Sequence, residues 1–83
     1  ILNDYNDRNT VVAHLSLDHN ERALELLATM PKDAITEYLK AIACSRLGCK
    51  AEGRKHFLEA CRLDERMEYR GNLDPEIAEL LKR

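Results

Sequence analysis

The sequence has few of the residues that build β-rich folds, membrane spans or disulfide frameworks. Its 83 residues contain no tryptophan, three tyrosines, one phenylalanine, three glycines and two prolines. So few turn-forming residues argue against a sandwich or barrel of many short strands. No apolar run approaches the about 20 residues that cross a bilayer, and no signal peptide is visible. The cysteines number three, and an odd count argues against a disulfide framework.

The abundant residues favour helix. Ala, Leu, Glu, Lys and Arg dominate, and these side chains lose least on entering a helix. The net charge is −2, from 13 basic and 15 acidic side chains, so no strong field is available to gather nucleic acid or anionic lipid. We expect one all-α domain with a thin core, because a chain this short buries only about 60–65% of its unfolded surface. Since the sequence begins without a methionine, we also expect a fragment of a larger protein.

Turn and cap signals divide the chain into helices. Pro31 cannot lie inside a helix, and Gly48 supplies a left-handed cap. Asp74-Pro75-Glu76 is typical of a helix start, with a capping side chain, a proline and an acid in order. The segment 67–73 is predicted to be a loop in which Gly71-Asn72 allows positive φ. The predicted helices are 4–17, 20–30, 34–47, 51–63 and 75–83.

The first two predicted helices resemble the next two at an offset of 30 residues. At this offset Val11-Val12-Ala13 aligns with Ala41-Ile42-Ala43, and Leu17-Asp18 aligns with Leu47-Gly48. Ala23, Leu27 and Met30 align with Gly53, Phe57 and Ala60. A self-match with a period of 20–50 residues indicates stacked helical hairpins, in which each hairpin covers the apolar face of its neighbour.

Residues 34–66 resemble a tetratricopeptide repeat. The matching positions are the small residues of the two helices, the turn between them, the large aromatic residue and the exit: Ala41, Leu47-Gly48, Gly53, Phe57, Ala60 and Leu63-Asp64. Residues 4–33 match less well, because Met30 replaces a small residue and Pro31 shortens the second helix. Asp7 or Glu37 stands at the position where the family has tryptophan, and Glu65 stands where proline is common.

The resemblance implies an architecture of antiparallel hairpins stacked as a tetratricopeptide-like α–α superhelix of about five helices. Repeat one covers about 4–33, repeat two about 34–67, and a capping helix about 75–83. It also implies that the first helix of each hairpin lines a concave groove for a protein or peptide. The groove residues carried over are Tyr5, Arg8, Val12, Leu15, Ser16, Ile35, Tyr38, Ile42, Ser45 and Arg46.

Tyrosine and arginine are enriched at binding hot spots, so a partner surface fits this composition. The family's carboxylate-binding positions correspond to Arg8, Val12, Tyr38 and Ile42, of which one is cationic. The groove should therefore prefer apolar or aromatic anchors. The alternative is a structural spacer or self-capped domain, in which the C-terminal helix or a neighbouring repeat covers this surface.

No constellation indicates an enzyme, a cofactor or a small-molecule substrate. There is no strained Gly-x-Ser-x-Gly turn and no glycine-rich phosphate loop. Cys44 and Cys49 have no second cysteine pair, and His14 and His19 have no metal-binding motif around them, so all four are expected to pack in the core or at its rim. Glu52 and His56 are placed to pair on one helix face.

The basic side chains on the helix 51–63 and around it, Lys50, Arg54, Lys55, Arg62 and Arg66, are interleaved with acids, which favours a solvated face over a phosphate-binding track. The compartment stays open. The terminal sequence LDPEI-x-x-L is similar to short repeat segments of bacterial cell-envelope proteins, which suggests a periplasmic or envelope location, whereas unpaired cysteines favour the cytoplasm.

Overall fold

The computed structural model describes residues 8–81, and this part of the chain consists of helices joined by short turns, without a β-strand. The predicted all-α class is confirmed. The helices are α1 (Arg8–Ser16), α2 (Asn20–Ala28), α3 (Ala34–Arg46), α4 (Lys50–Leu63), α5 (Arg66–Asn72) and α6 (Pro75–Leu81). Over the same range, no helix has both the length and the apolar character needed to span a membrane.

Short-range side-chain caps begin α3 and α6. Asp33 has an extended backbone (φ −148°), and its side chain accepts a hydrogen bond from the Thr36 amide at 2.7 Å. Asp74 accepts one from the Glu76 amide at 3.0 Å in the same way. These amides have no carbonyl partner in a preceding turn, so the carboxylates satisfy donors that the helix leaves open.

The turns between α1 and α2 and between α3 and α4 have the same backbone pattern. After α3, Gly48 adopts φ 83° and the Cys49 amide donates to the Cys44 carbonyl at 2.9 Å. This is the Schellman arrangement, which satisfies the last carbonyls of a helix. The turn after α1 has the same hydrogen bonds, with Asp18 in the left-handed position at φ 60°. Aspartate tolerates this conformation better than most residues, so the two turns are structurally equivalent.

The third helix contributes to both hydrophobic clusters of the core. One cluster joins α1, α2 and α3 through Val11, Leu15, Ala23, Leu26, Leu27 and Ala43. The other joins α3 to α4, α5 and α6 through Tyr38, Ala41, Ile42, Phe57, Ala60, Met67, Ile77 and Leu80. The predicted small and aromatic contact positions Ala41, Gly53 and Phe57 are all buried. The small residues Ala41 and Gly53 let the backbones of α3 and α4 lie close to each other.

The prediction of a loop at 67–73 is wrong, and so is the prediction of about five helices, because α5 (Arg66–Asn72) makes a sixth within the described range. Gly71 is helical and buried rather than left-handed. A Cβ atom at this position would lie 2.4 Å from Phe57 Cε1, so glycine permits close packing here. Together with buried Met67, this packing outweighs the low helix propensity of Gly-Asn.

The second helix ends two residues earlier than predicted, at Ala28 instead of residue 30. Thr29 is its C-cap, and the Thr29 hydroxyl donates to the Leu26 carbonyl at 2.7 Å. Pro31 disfavours helical backbone in the residue before it, which explains why Met30 lies outside the helix.

Candidate functional site

The C-terminal helix α6 lies against the face of α3 that the sequence predicts to line a groove. Polar contacts join the two helices at both ends of this face, and apolar side chains fill the space between them. We call this surface, formed by Tyr38, Ile42, Ser45 and Arg46, the α3 face.

Tyr38 anchors one end of the α3 face. Its side chain is 3% exposed and its hydroxyl donates to Asp74 Oδ2 at 2.8 Å. The ring meets Phe57 edge to face at a centroid distance of 6.2 Å, and the Arg70 guanidinium lies 5.1 Å from the ring centroid. Burial raises the pKa of the Tyr38 phenol well above its ordinary value, and the Asp74 carboxylate raises this pKa further. The phenol is therefore held protonated as a hydrogen-bond donor.

Arg46 anchors the other end and connects three elements. Its Nε donates to Glu76 Oε1 of α6 at 2.7 Å, and its Nη1 donates to the Leu15 carbonyl at the end of α1 at 2.6 Å. The same nitrogen reaches Asn20 Oδ1 at 3.3 Å and lies 3.6 Å from Asp18 Oδ1. Arginine has several donors in a fixed plane, so one side chain can join the first hairpin turn to the C-terminal helix.

Leu80 and Ile77 form the apolar underside of α6, and both have 0% exposure. A Cβ atom built on Gly53 of α4 would lie 2.8 Å from Leu80 Cδ1 and 3.3 Å from the Ala41 carbonyl oxygen. Leu80 therefore occupies the space that a side chain at Gly53 would need. Ser45 of α3 adds a long hydrogen bond from its hydroxyl to the Glu76 carbonyl, at 3.4 Å.

The predicted groove residues of the first hairpin are less closely grouped. Tyr5 lies outside the described residues, and so does the side chain of Arg8, the first residue of α1. Val12 is 48% exposed, whereas Leu15 is 6% exposed and belongs to the core. The structure thus joins four of the five predicted residues of α3 under α6, whereas Ile35 is 38% exposed and lies outside this group. Leu15 is connected to the group by the hydrogen bond from Arg46 to its carbonyl.

The contacts that hold α6 on α3 are not predicted from the sequence. Local spacing predicts only helix-capping roles for Asp74 and Glu76, and it places Arg70 in a loop. Their contacts with Tyr38 and Arg46 span 30 or more positions along the chain. Only the pairing of a tyrosine and an arginine on α3 with acids near the start of α6 could have suggested these contacts.

His56 has a different partner from the one predicted. Its Nδ1 lies 2.7 Å from Glu37 Oε2 of α3, while Glu52 lies 3.6 Å from Lys55 Nζ. Glu37 is 4% exposed and also has Lys40 Nζ at 3.8 Å. A buried carboxylate is costly without partners, so the packing of α4 against α3 favours the longer-range His56–Glu37 pair.

The three cysteines and the charged side chains of α4 lie outside the α3 face. Cys44 is buried, Cys49 exposed and Cys61 partly buried, and burial raises the pKa of both the Cys44 and the Cys61 thiols. On the charged side of α4, Arg62 and Lys32 lower the pKa of Glu59 to about 2. Basic and acidic side chains on this side pair with one another, as expected of a solvated face.

Comparison with models of known protein families, with curated proteins and with solved structures finds no significant match. The resemblance of the chain to tetratricopeptide repeats therefore stays a prediction.

Proposed function

We propose that this chain is a structural, non-enzymatic scaffold of the tetratricopeptide type that caps itself with its C-terminal helix. The observation that carries the proposal is the position of α6 on the α3 face. In a stack of such hairpins this face would receive a partner segment. Here Tyr38 and Ile42 are buried at 3% and 6% exposure, and both belong to a cluster with Ile77 and Leu80.

The contacts of α6 combine apolar burial with directed polar bonds, as a built-in part of a fold does. Two fully buried aliphatic side chains of α6 remove apolar surface from water, at about 1.5–3 kcal/mol for each such side chain. The Tyr38–Asp74 and Arg46–Glu76 bonds then fix the orientation of the helix. Because Arg46 also bonds the end of α1, removal of α6 is expected to weaken the first hairpin as well.

A second candidate function is binding of a protein or peptide, and the exposure of Val12 favours it. This predicted groove residue is 48% exposed on α1, where α6 leaves it uncovered. A partner that also used Tyr38 and Ile42 would have to displace α6. The binding segment of that partner would then need acids and aliphatic residues in the pattern of Asp74-Pro75-Glu76-Ile77.

A pair of neighbouring leucines tests whether α6 is a structural cap. Leu80 has 0% exposure and Leu81 has 40% exposure. Leu80→Ala should lower the free energy of unfolding by about 2–5 kcal/mol, the usual cost for a buried leucine. Leu81→Ala is the matched control and should cost much less. Equal losses, measured by urea unfolding, would mean that α6 does not lie on α3 as described.

Deletion of residues 75–83 separates the two candidate functions. A self-capped scaffold should lose helical circular dichroism or aggregate when its apolar α3 face is uncovered. A chain that stays soluble and helical, and that binds a synthetic 72–83 peptide added in trans, would instead support a partner groove. Amide chemical shifts should then move at Tyr38, Ile42 and Ser45.

A further inference from the structure

Two histidines face each other across the turn between α1 and α2. In a Schellman turn the residue at the third position from the helix end and the second residue beyond the cap approach each other. These positions are His14 and His19, and the His19 amide donates to the His14 carbonyl at 2.8 Å. Their Nδ1 atoms are 3.4 Å apart, with ring centroids 5.6 Å apart and ring planes inclined at 45°. The backbone of the turn therefore holds two imidazole nitrogens together.

This separation is at the long end of the range for a hydrogen bond, and it also matches the spacing of two zinc ligands. A nitrogen donor commonly lies about 2.7–3.2 Å from its acceptor. Zinc–nitrogen bonds of about 2.0–2.1 Å that meet at the tetrahedral angle place two ligand nitrogens about 3.3–3.4 Å apart. We propose that His14 and His19 form a zinc-binding site that uses the Nδ1 atom of each ring.

The surroundings of the two rings suit a metal ion that enters from solvent. His14 is 5% exposed, so packing limits its motion, whereas His19 is exposed and leaves a path for the ion. A surface cavity of about 440 Å³ beside His19 is lined by Asp18, Glu21 and Glu25, together with Arg22. Arg22 pairs with Glu25 at 2.9 Å and Arg46 lies 3.6 Å from Asp18. The three acids still outnumber these two arginines, and an excess of negative charge favours a cation.

The site differs from a structural zinc centre in its number of ligands. Within residues 8–81, no group of three or more His, Cys, Asp and Glu side chains is arranged to hold a metal. Two imidazoles therefore leave two coordination positions to water or to a group from another molecule. Such an open site binds exchangeable zinc rather than holding the fold together.

The equivalent turn after α3 carries two cysteines that could compete with the histidines for zinc. Cys44 and Cys49 occupy the positions of His14 and His19 there, and thiolates also bind zinc. Cys44 is 3% exposed, and a thiol must lose its proton to bind the metal. An imidazole ring can offer a nitrogen lone pair to the metal without such an ionisation, which favours the histidine turn.

Imidazole ¹⁵N NMR of the full chain during zinc titration tests the assignment directly. We expect the Nδ1 resonances of His14 and His19 to shift together and saturate at one equivalent, while His56 serves as an internal control and does not move. A shift pattern that places zinc on Nε2 and the ring proton on Nδ1 would overturn the proposal, and so would shifts at His56 or at the cysteine Cβ carbons. Absence of any shift with excess zinc would also overturn it.

Variants give a second, quantitative test. His19→Gln changes an exposed residue and should weaken zinc binding by at least about 10-fold. Removal of a residue that only supports a metal ligand already weakens binding by about 10-fold or more, and removal of a ligand should cost no less. His14→Gln should do the same, with circular dichroism as a check on folding, and Cys49→Ser is the control that should leave the affinity unchanged. Wild-type affinity in His19→Gln, or lost affinity in Cys49→Ser, would refute the site.

Discussion

Replacement of Gly53 by alanine should have opposite effects depending on whether Leu80 is present. Gly53 lies in the interior of α4, where glycine-to-alanine changes normally stabilise a helix by about 0.5–1 kcal/mol. In this fold the added methyl group would lie 2.8 Å from Leu80 Cδ1, 3.2 Å from Leu80 Cδ2 and 3.3 Å from the Ala41 carbonyl oxygen. Leu80 would have to move, and α6 would be pushed away from α4.

The expected magnitudes follow from these contacts. Overpacking of a buried position costs about 1–3 kcal/mol, so Gly53→Ala in the wild-type chain should be destabilising by about 0–2.5 kcal/mol after its gain in helix propensity. In a Leu80→Ala background the clash with Leu80 is gone and the new methyl group partly fills the cavity. The same change should then be neutral or stabilising. The difference between the two backgrounds should be at least about 1 kcal/mol, within the range observed for residues in contact.

Urea unfolding followed by far-ultraviolet circular dichroism measures all four members of this double-mutant cycle. A shift of the midpoint without a change in slope would report stability alone, and a difference of 1 kcal/mol corresponds to about 4–8 °C in Tm for a domain of this size. If Gly53→Ala stabilised both backgrounds equally, Leu80 would not lie against Gly53. The proposed capping by α6 would then lose its structural basis.

Two further predictions concern α5 and the tyrosine under α6. Gly71→Ala should destabilise the chain by about 1–3 kcal/mol, because a methyl group there would meet Phe57 at 2.4–2.5 Å; a thermal melt equal to wild type would show that α5 does not pack on Phe57. The raised pKa of Tyr38 means that above about pH 10 the unfolded chain releases a proton that the folded chain retains. Unfolding is favoured under these conditions, so stability that is fully present at lower pH should decline as pH rises through and beyond 10. Tyr38→Phe should reduce this decline in pH-dependent urea titrations, and an unchanged slope would contradict a buried, protonated Tyr38.

Local signals accounted for much of the helical pattern. Asp33 and Asp74 start helices through bonds to amides two or three residues away, and Gly48 ends one through its own backbone conformation. Such features depend on neighbours in sequence, so residue types and spacing were enough to predict them. The equivalence of the Leu17-Asp18 and Leu47-Gly48 turns was predictable for the same reason.

Features that depend on distant contacts were harder to predict. Gly71-Asn72 is a turn signal by local propensity, yet α5 continues through it because Gly71 fits against Phe57. His56 had an acid one turn away, yet it pairs with Glu37 on another helix. In both cases a contact made only in the packed chain outweighs the local preference.

The candidate site shows the same division. The sequence alone predicted the all-helical class and the 30-residue offset. It also predicted that one face is shared by Tyr38, Ile42, Ser45 and Arg46. Tertiary structure decided what covers that face, because Asp74 and Glu76 reach Tyr38 and Arg46 only after the chain has turned back through α5. Helix periodicity determines which side of a helix is apolar, whereas the choice of the element that buries it depends on the shape and hydrogen bonds of the whole packed chain.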